Sequence, residues 1–146
     1  MATVFTIGYE KLLPDALVAE LRAAGVQRLL DVRFRPQSRR PGMSKTRLGD
    51  LLREHGIAYE NRRELGTPPD LRWLYKHNRV AEGAEAFRAH MEGPDGAAAL
   101  DALAGELKAS SATALLCLEA DPSTCHRRVL TDALRARLPG LRVVDL

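Results

Sequence analysis

The sequence is poor in cysteine and in aromatic residues, and it has no long apolar run. It contains two cysteines in 146 residues, and 5% of its residues are aromatic. Two cysteines cannot supply the disulfide framework of a small secreted domain, so the pattern favours a reducing compartment. No segment approaches the roughly 20 apolar residues that a membrane-spanning helix needs. We therefore expect a soluble, cytoplasmic protein with no membrane partner.

The composition is that of one folded domain. Hydrophobic residues make up 45% of the chain and charged residues 28%, which excludes a disordered protein. The apolar run at residues 4–7 begins so close to Met1 that it leaves no room for a signal peptide. Neither a repeat nor a linker divides the chain, so we predict a single domain over residues 1–146.

Positive charge is concentrated in one block, although the net charge of the chain is only +3. Residues 28–53 contain eight cations and two acidic residues, a balance of +6. Seven of the eight cations are arginines, which suit bidentate contacts with phosphate or carboxylate groups. This distribution favours one anion-binding pocket or edge over a uniformly basic surface. A solvated basic loop is the simpler alternative.

Short apolar runs alternate with helical periodicities, which is typical of α/β proteins. The predicted strands cover residues 3–7, 27–34, 57–59, 112–118 and 141–146. The predicted helices cover residues 14–24, 44–55, 70–74, 82–91, 94–108 and 121–138, and the first of them has Leu13, Leu17 and Leu21 on its inner face. Such units close as a mostly parallel sheet with helices on both faces, a Rossmann-like three-layer fold. The last strand could pair with a second copy in a homodimer.

Ligands of parallel sheets bind beyond the carboxyl ends of the strands. The residues at and just past the carboxyl ends of the predicted strands are Gly8, Tyr9, Glu10, Arg33, Arg35, Glu119 and residues 121–127. Asp31 and Arg33 share one face of their strand because side chains alternate, and Arg35 continues that face. We therefore expect Arg33 and Arg35 to bind one anionic ligand. Tyr9 either stacks on a base or closes the edge of the core.

The strongest local signal surrounds the second cysteine. Asp121 fits a helix N-cap and Pro122 fits the first helical position, so Cys125 would lie in the first helical turn. There, the helix dipole and the neighbouring His126 and Arg127 would lower the pKa of the thiol. This pattern predicts Cys125 as a thiolate nucleophile with His126 as an acid or base. A half-buried structural cysteine beside a surface histidine is the alternative.

Glu119 and the two cysteines also raise the question of a metal site. Glu119 could act as a base, orient a ribose hydroxyl, or pair with an arginine. Cys117, Cys125 and His126 are further residues of ligand type, but zinc sites prefer C-x₂-C spacing and seven residues separate these cysteines. Cys125 and His126 would also point in different directions on a helix. We therefore predict no metal ligands and no cofactor.

Several motifs together resemble the domain-of-unknown-function family 488. They are TIGYE at residues 6–10, LDVR at 30–33, PQS at 36–38, ELG at 64–66, LCLE at 116–119 and CHR at 125–127. The resemblance covers nearly the whole chain, in the family's order and spacing. It implies a compact α/β domain whose motif residues cluster at one site. The candidates that it gives are Gly8, Asp31, Arg33, Ser38, Glu119, Cys125, His126 and Arg127.

These observations lead us to expect an enzyme, a hydrolase or transferase, that acts on an anionic, phosphate-bearing substrate such as a nucleotide or a nucleic acid. The residues assigned to the substrate- and anion-binding site are Gly8, Tyr9, Asp31, Arg33, Arg35, Ser38 and Arg127. Within it, the three arginines and the helix start at residues 122–125 are expected to hold the anion. The residues assigned to catalysis are Glu119, Cys125 and His126. One alternative is a non-catalytic nucleic-acid-binding module that uses the basic loop of residues 35–47 and binds in a salt-dependent manner. Another is a zinc-containing structural or regulatory domain.

Overall fold

A computed structural model describes residues 2–109 and 112–146 of the chain. The strands in this part are β1 (Thr3–Gly8), β2 (Arg28–Asp31), β3 (Ala58–Asn61), β4 (Thr113–Cys117) and β5 (Arg142–Asp145). The helices are α1 (Pro14–Ala23), α2 (Lys45–Glu54), α3 (Pro69–Lys76), α4 (Val80–Glu92), α5 (Pro94–Ala109) and α6 (Arg127–Arg137). Two short 3-10 turns lie at Arg63–Leu65 and Pro122–Thr124.

The strands form one parallel sheet in the order β3-β2-β4-β1-β5. Side chains alternate between its two faces, and β4 shows this most clearly. Ala114 and Leu116 pack with α1 and α2 on one face, and Leu115 and Cys117 pack with α4, α5 and α6 on the other. The predicted three-layer α/β fold is therefore confirmed. Within the described residues, no helix is both apolar enough and long enough to cross a membrane.

The topology creates a crevice between β2 and β4. The connection from β2 to β3 runs through α2 on one face, and the connection from β4 to β5 runs through α6 on the opposite face. The chain leaves β2 towards one face of the sheet and leaves the neighbouring β4 towards the other face, so the loops at their carboxyl ends diverge. In open parallel sheets this divergence marks the place where ligands bind.

Two local predictions are wrong. Leu13 is not on the inner face of α1: it precedes Pro14 in extended conformation and is 71% exposed, whereas Leu17 and Leu21 are fully buried. The helix predicted to open at residue 121 begins instead at Arg127. The Asp121 carboxylate accepts a hydrogen bond from the Ser123 backbone N–H at 2.9 Å, but this bond caps only a short 3-10 turn.

Candidate functional site

Asp31 and Arg33 form a buried ion pair at the carboxyl end of β2. The Arg33 Nε and Nη2 atoms donate to the two Asp31 carboxylate oxygens at 2.8 and 2.7 Å. Tyr59 donates its hydroxyl to the same carboxylate at 2.5 Å, and Arg33 Nη1 donates to the Met43 carbonyl oxygen at 2.8 Å. Most of the guanidinium donors are thus used inside the protein. Arg33 lines the site, but its main contacts are structural.

This network keeps Arg33 and Tyr59 each in one protonation state. Burial by itself would lower the pKa of Arg33, but the hydrogen bonds and charge of Asp31 raise it above its usual value. The pKa of Tyr59 is also raised, first by burial and then by the Asp31 charge. Arg33 therefore remains a cation and Tyr59 remains a hydroxyl donor at neutral pH.

The end of β1 lies directly against the loop that follows β4. Gly8 makes this possible, because a Cβ atom at this position would overlap the Glu119 carbonyl oxygen. The Tyr9 side chain is 3% exposed, and its hydroxyl accepts a hydrogen bond from Arg33 Nη1 at 3.3 Å. Tyr9 therefore closes the core, and it also lines the space above the strands.

A cleft of about 590 Å³ opens above these strand ends. Its cations are Arg33, Arg35, Arg39, Arg72 and Lys76, and no acidic residue is among the residues that line it. Its aromatic side chains are Tyr9, Phe34 and Trp73. The predicted anion-binding residues Arg33 and Arg35 thus lie in the same cleft.

One wall of this cleft was not predicted from the sequence. It is formed by α3 and by Thr67, which lies two residues before α3. Arg72 and Lys76 are four residues apart on α3, and Trp73 between them is 48% exposed. Thr67 is only 2% exposed and lines the cleft, and its hydroxyl has no hydrogen-bond partner among the described residues. In the sequence, a tryptophan between two cations that are four residues apart is the signal that would have indicated this wall.

The wall is held in place by a close crossing of two loops. Gly66 lies against the backbone of Phe34, and a Cβ atom at Gly66 would come within 2.6 Å of the Phe34 Cα atom. The Arg63 guanidinium lies over the Phe34 ring at 4.1 Å from its centroid. The ELG motif at residues 64–66 is therefore a packing motif that brings Thr67 to the cleft.

Ser38 shapes the basic loop of residues 35–47. Its hydroxyl accepts a hydrogen bond from the Arg40 backbone N–H at 3.1 Å, and its own N–H donates to the Ser44 hydroxyl at 3.0 Å. The Arg40 guanidinium then donates to the carbonyl oxygens of Tyr9, Glu10 and Leu12. Ser38 and Arg40 thus fix the loop to the end of β1, and the exposed Arg35 and Arg39 extend into the cleft.

The two cysteines lie together below the cleft. The Sγ atoms of Cys117 and Cys125 are within bonding distance as a disulfide, and both residues are buried. Cys125 has extended backbone, with φ −132° and ψ 152°, and precedes α6 by two residues. The prediction that it lies in the first turn of a helix is therefore wrong, and with it the argument that this helix lowers the pKa of its thiol.

His126 is buried beside this pair. Its Nε2 lies 2.8 Å from the Val32 carbonyl oxygen, which can only accept, so the ring is protonated at Nε2. Its Nδ1 lies 3.6 Å from Cys125 Sγ. Burial lowers the pKa of His126 to about 4, despite the opposing effect of the Val32 bond. The ring is therefore neutral at pH 7, with the lone pair of Nδ1 towards the sulfur.

Arg127 is a buried cation that organises the loop after β4. It is 1% exposed and donates to the Thr6 hydroxyl at 2.9 Å and to the Glu119 carbonyl oxygen at 2.5 Å. Burial lowers the pKa of Arg127. The Glu119 carboxylate points elsewhere, with Oε2 3.6 Å from Cys117 Sγ. The contact between Glu119 and Arg127 is thus made by the backbone carbonyl of Glu119.

The predicted site residues therefore form two adjoining groups. Tyr9, Arg33 and Arg35 line the cleft, and the buried Asp31 is bound to Arg33. Glu119, Cys125, His126 and Arg127 lie in the segment between β4 and the first residue of α6. The bond from His126 to Val32 connects the two groups.

Comparison with known proteins bears on the family of the chain. No curated protein and no solved structure matches it. The family model described as Domain of unknown function DUF488 matches residues 14–134, which include the buried Asp31–Arg33 pair and the CHR motif. This match covers more than half of the chain, and the protein therefore belongs to the DUF488 family.

Proposed function

We propose that this protein binds a phosphate-bearing ligand with an aromatic base, a nucleotide or the end of a nucleic acid, in the cleft above β1 and β2. The observation that carries the proposal is the charge of the cleft. Arg35, Arg39, Arg72 and Lys76 surround it, and none of its lining residues is acidic. A concave surface of one charge concentrates field lines and attracts ligands of the opposite charge.

The polar groups of the cleft suit a phosphate. Arginine presents a planar fork of donors that matches phosphate oxygens, and Arg35 and Arg39 are exposed on the basic loop. Thr67 lines the cleft, and within residues 2–109 and 112–146 its buried hydroxyl has no hydrogen-bond partner. A buried hydroxyl without a hydrogen bond costs free energy, so a phosphate or ribose oxygen at this position would stabilise it.

The aromatic side chains of the cleft suit a base. Trp73 is 48% exposed beside Arg72 and Lys76, and Phe34 lies across the cleft on the loop after β2. Aromatic rings combined with cations are typical of surfaces that stack a nucleobase and hold its phosphate. The proposal concerns binding. Catalysis by Cys125 is not included, because its side chain is 3% exposed and its sulfur is bonded to Cys117.

Calorimetric titration with a nucleoside 5′-monophosphate, the matching nucleoside and inorganic phosphate tests the proposal. We expect the nucleotide to bind most tightly, because it alone offers both groups. Arg39→Gln and Arg72→Gln should each weaken nucleotide binding by about tenfold or more, as expected for the loss of a hydrogen bond to a charged group. Arg135→Gln is the matched control, because Arg135 is an exposed cation on α6 outside the cleft.

Two results would contradict the proposal. One is equal affinity for the nucleoside and the nucleotide, which would remove the role of the phosphate. The other is unchanged nucleotide affinity in Arg39→Gln and Arg72→Gln, which would place the bound ligand elsewhere.

A second candidate function is the binding of a longer nucleic acid along the basic loop. A depression lined by Arg39, Arg40, Lys45 and Arg47 adjoins the cleft and shares Arg39 with it. A strand held in both would gain affinity with length and would lose it steeply with salt. Oligonucleotides of increasing length, tested against wild type and Lys45→Gln/Arg47→Gln, separate the two. Affinity that does not change with length excludes this candidate.

A further inference from the structure

Three ligand-type side chains converge in the core below the cleft. The Sγ atoms of Cys117 and Cys125 and a ring nitrogen of His126 all lie within 4.8 Å of one another, and all three residues are buried. Thiolates and imidazole are the donors that zinc prefers. Zinc with bonds of about 2.3 Å to sulfur and 2.0 Å to nitrogen holds neighbouring tetrahedral ligands roughly 3.5 to 3.8 Å apart. The 3.6 Å between Cys125 Sγ and His126 Nδ1 fits this spacing.

His126 is oriented as a metal ligand would be. Its Nε2–H is donated to the Val32 carbonyl oxygen at 2.8 Å, which leaves the Nδ1 lone pair directed to the sulfurs. Zinc-binding histidines commonly donate their second nitrogen to a backbone carbonyl, which fixes the tautomer and the ring direction. The edge of the ring is also held by Phe87, whose centroid lies 5.3 Å away.

The neighbouring residues Cys125 and His126 reach the same point because neither lies inside a helix. Cys125 is extended, and His126 is the residue that precedes α6. Cys125 and His126 would diverge if both lay on one helix, as the sequence predicted. The wide spacing of the two cysteines does not keep them apart either, because both lie in one buried group with His126.

We propose that the reduced protein binds one Zn²⁺ through three protein ligands, Cys117 Sγ, Cys125 Sγ and His126 Nδ1. Glu119 Oε2 lies 3.6 Å from Cys117 Sγ but is not part of this group of three. The Cα atoms of the two cysteines are 7.6 Å apart, which is wide for a direct disulfide, usually about 4.4–6.8 Å, and suits two ligands with a metal between them.

The charges of the surroundings fit this ligand set. Two thiolates carry two negative charges, which one Zn²⁺ would neutralise. The cations Arg72 and Arg127 and the anion Asp31 act on His126 in opposite directions. A buried site without net charge is therefore compatible with its environment.

The metal-bound and disulfide forms are related by a balanced reaction. A dithiol reductant gives two electrons and two protons to the disulfide, which yields two protein thiols and leaves the reductant as its own disulfide. Binding of Zn²⁺ then releases the two thiol protons to solvent. The zinc site and the disulfide therefore exclude each other.

The inference is tested on the full chain. The protein is reduced with a water-soluble phosphine, desalted under argon and titrated with Co²⁺, followed by Zn²⁺. We expect one Co²⁺ per chain, a near-ultraviolet thiolate-to-cobalt charge-transfer band, and loss of that band when Zn²⁺ displaces Co²⁺. This readout does not involve the cleft, so failure here and failure of nucleotide binding are separate results.

Matched variants assign the ligands. Cys117→Ser, Cys125→Ser and His126→Asn should each lose most of the charge-transfer band or weaken Zn²⁺ binding by at least about tenfold. His55→Asn, which changes an exposed histidine after α2, should bind as wild type does. In wild type, Zn²⁺ should also protect both cysteines from alkylation, read by peptide mass, and this measurement needs no variant to fold.

Three outcomes would overturn the proposal. They are a fully reduced, folded protein that shows no thiolate-to-cobalt band at one equivalent of Co²⁺, cysteines that are alkylated at the same rate with and without Zn²⁺, and folded cysteine variants that bind Zn²⁺ as tightly as wild type.

Discussion

The Arg33 guanidinium grips the Asp31 carboxylate through two hydrogen bonds, of 2.8 and 2.7 Å, although the two residues are only two positions apart. Arg33 is 5% exposed and Asp31 is completely buried. Moving both charges out of water costs free energy, and each buried charge then needs its partner to compensate for the lost hydration. The pair fixes the loop after β2, and this loop carries Phe34 and Arg35 into the cleft.

Removing one member of this pair should destabilise the protein strongly. We expect Asp31→Asn to lower the free energy of unfolding by about 3 kcal/mol, because it leaves the Arg33 charge buried without its counter-ion. Urea denaturation measures the change. Glu82→Gln, which breaks the exposed Arg79–Glu82 pair, is the control and should cost less than about 1 kcal/mol. Equal losses in the two variants would contradict this account.

The approach of β1 to the loop after β4 depends on Gly8. We expect Gly8→Ala to lower the free energy of unfolding by about 2 kcal/mol or more, because the added methyl group would overlap the Glu119 carbonyl oxygen. Thermal and urea unfolding provide the measurement. At Gly105, inside α5, a Cβ atom meets nothing within 4 Å, so Gly105→Ala should instead stabilise the helix. Stabilisation by both changes would show that Gly8 is not required by close packing.

Glu106 should contribute stability that depends on pH. Hydrogen bonds from Arg62, followed by those from Arg28, lower the pKa of Glu106 to about 2. A carboxylate with a lowered pKa stabilises the folded state at pH values above its unfolded pKa, and this stabilisation is lost as the pH falls towards the folded value. Glu106→Gln should thus be about 1–2 kcal/mol less stable than wild type at pH 7, with the difference shrinking below pH 4.5.

Urea denaturation of wild type and Glu106→Gln between pH 2.5 and pH 7, about the range that the shifted pKa defines, measures this difference. The exposed Glu85 on α4 provides the control, and Glu85→Gln should change the free energy of unfolding at pH 7 by less than about 0.5 kcal/mol. A stability difference for Glu106→Gln that is constant over the whole range would be inconsistent with the lowered pKa.

Replacement of the Thr67 hydroxyl distinguishes a role in ligand binding from a role in folding. Because this hydroxyl has no hydrogen-bond partner in the described part of the chain, Thr67→Val should leave the free energy of unfolding within about 0.5 kcal/mol of wild type, or raise it slightly. Nucleotide affinity should fall by about tenfold, since the ligand loses a buried hydrogen-bond donor. Denaturation and calorimetry measure the two effects. Lower stability with unchanged affinity would assign Thr67 a structural role instead.

The fold could be predicted because its signals are local. Alternation of short apolar runs with helical periodicity predicted the parallel sheet, and β4, buried along its whole length, was its clearest strand. Because side chains alternate along a strand, the sequence predicted Asp31 and Arg33 on one face of their predicted strand. It did not show that the two residues bind each other. That pairing depends on hydrogen bonds with Tyr59 and Met43, which are distant in the sequence.

The site was only partly predictable because its remaining parts depend on long-range packing. Arg72 and Trp73 reach the cleft because Gly66 crosses the Phe34 backbone, and no local pattern contains that contact. Likewise, Asp121 and Pro122 are good signals for a helix start, but the chain leaves helical conformation at Cys125. The convergence of Cys117, Cys125 and His126 follows from that departure.

Titration of the fluorescence of Trp73 with a nucleoside 5′-monophosphate tests the central claim most directly. Trp73 is the single tryptophan of the chain, and it lines the cleft, so a bound base changes its emission without any label. We predict that the emission of Trp73 changes saturably with nucleotide concentration and that added salt raises the concentration needed for half of the change. Arg72→Gln should raise this concentration as well, whereas Arg135→Gln should not. Emission that stays constant at nucleotide concentrations that saturate calorimetric binding would place the ligand outside the cleft and contradict the account.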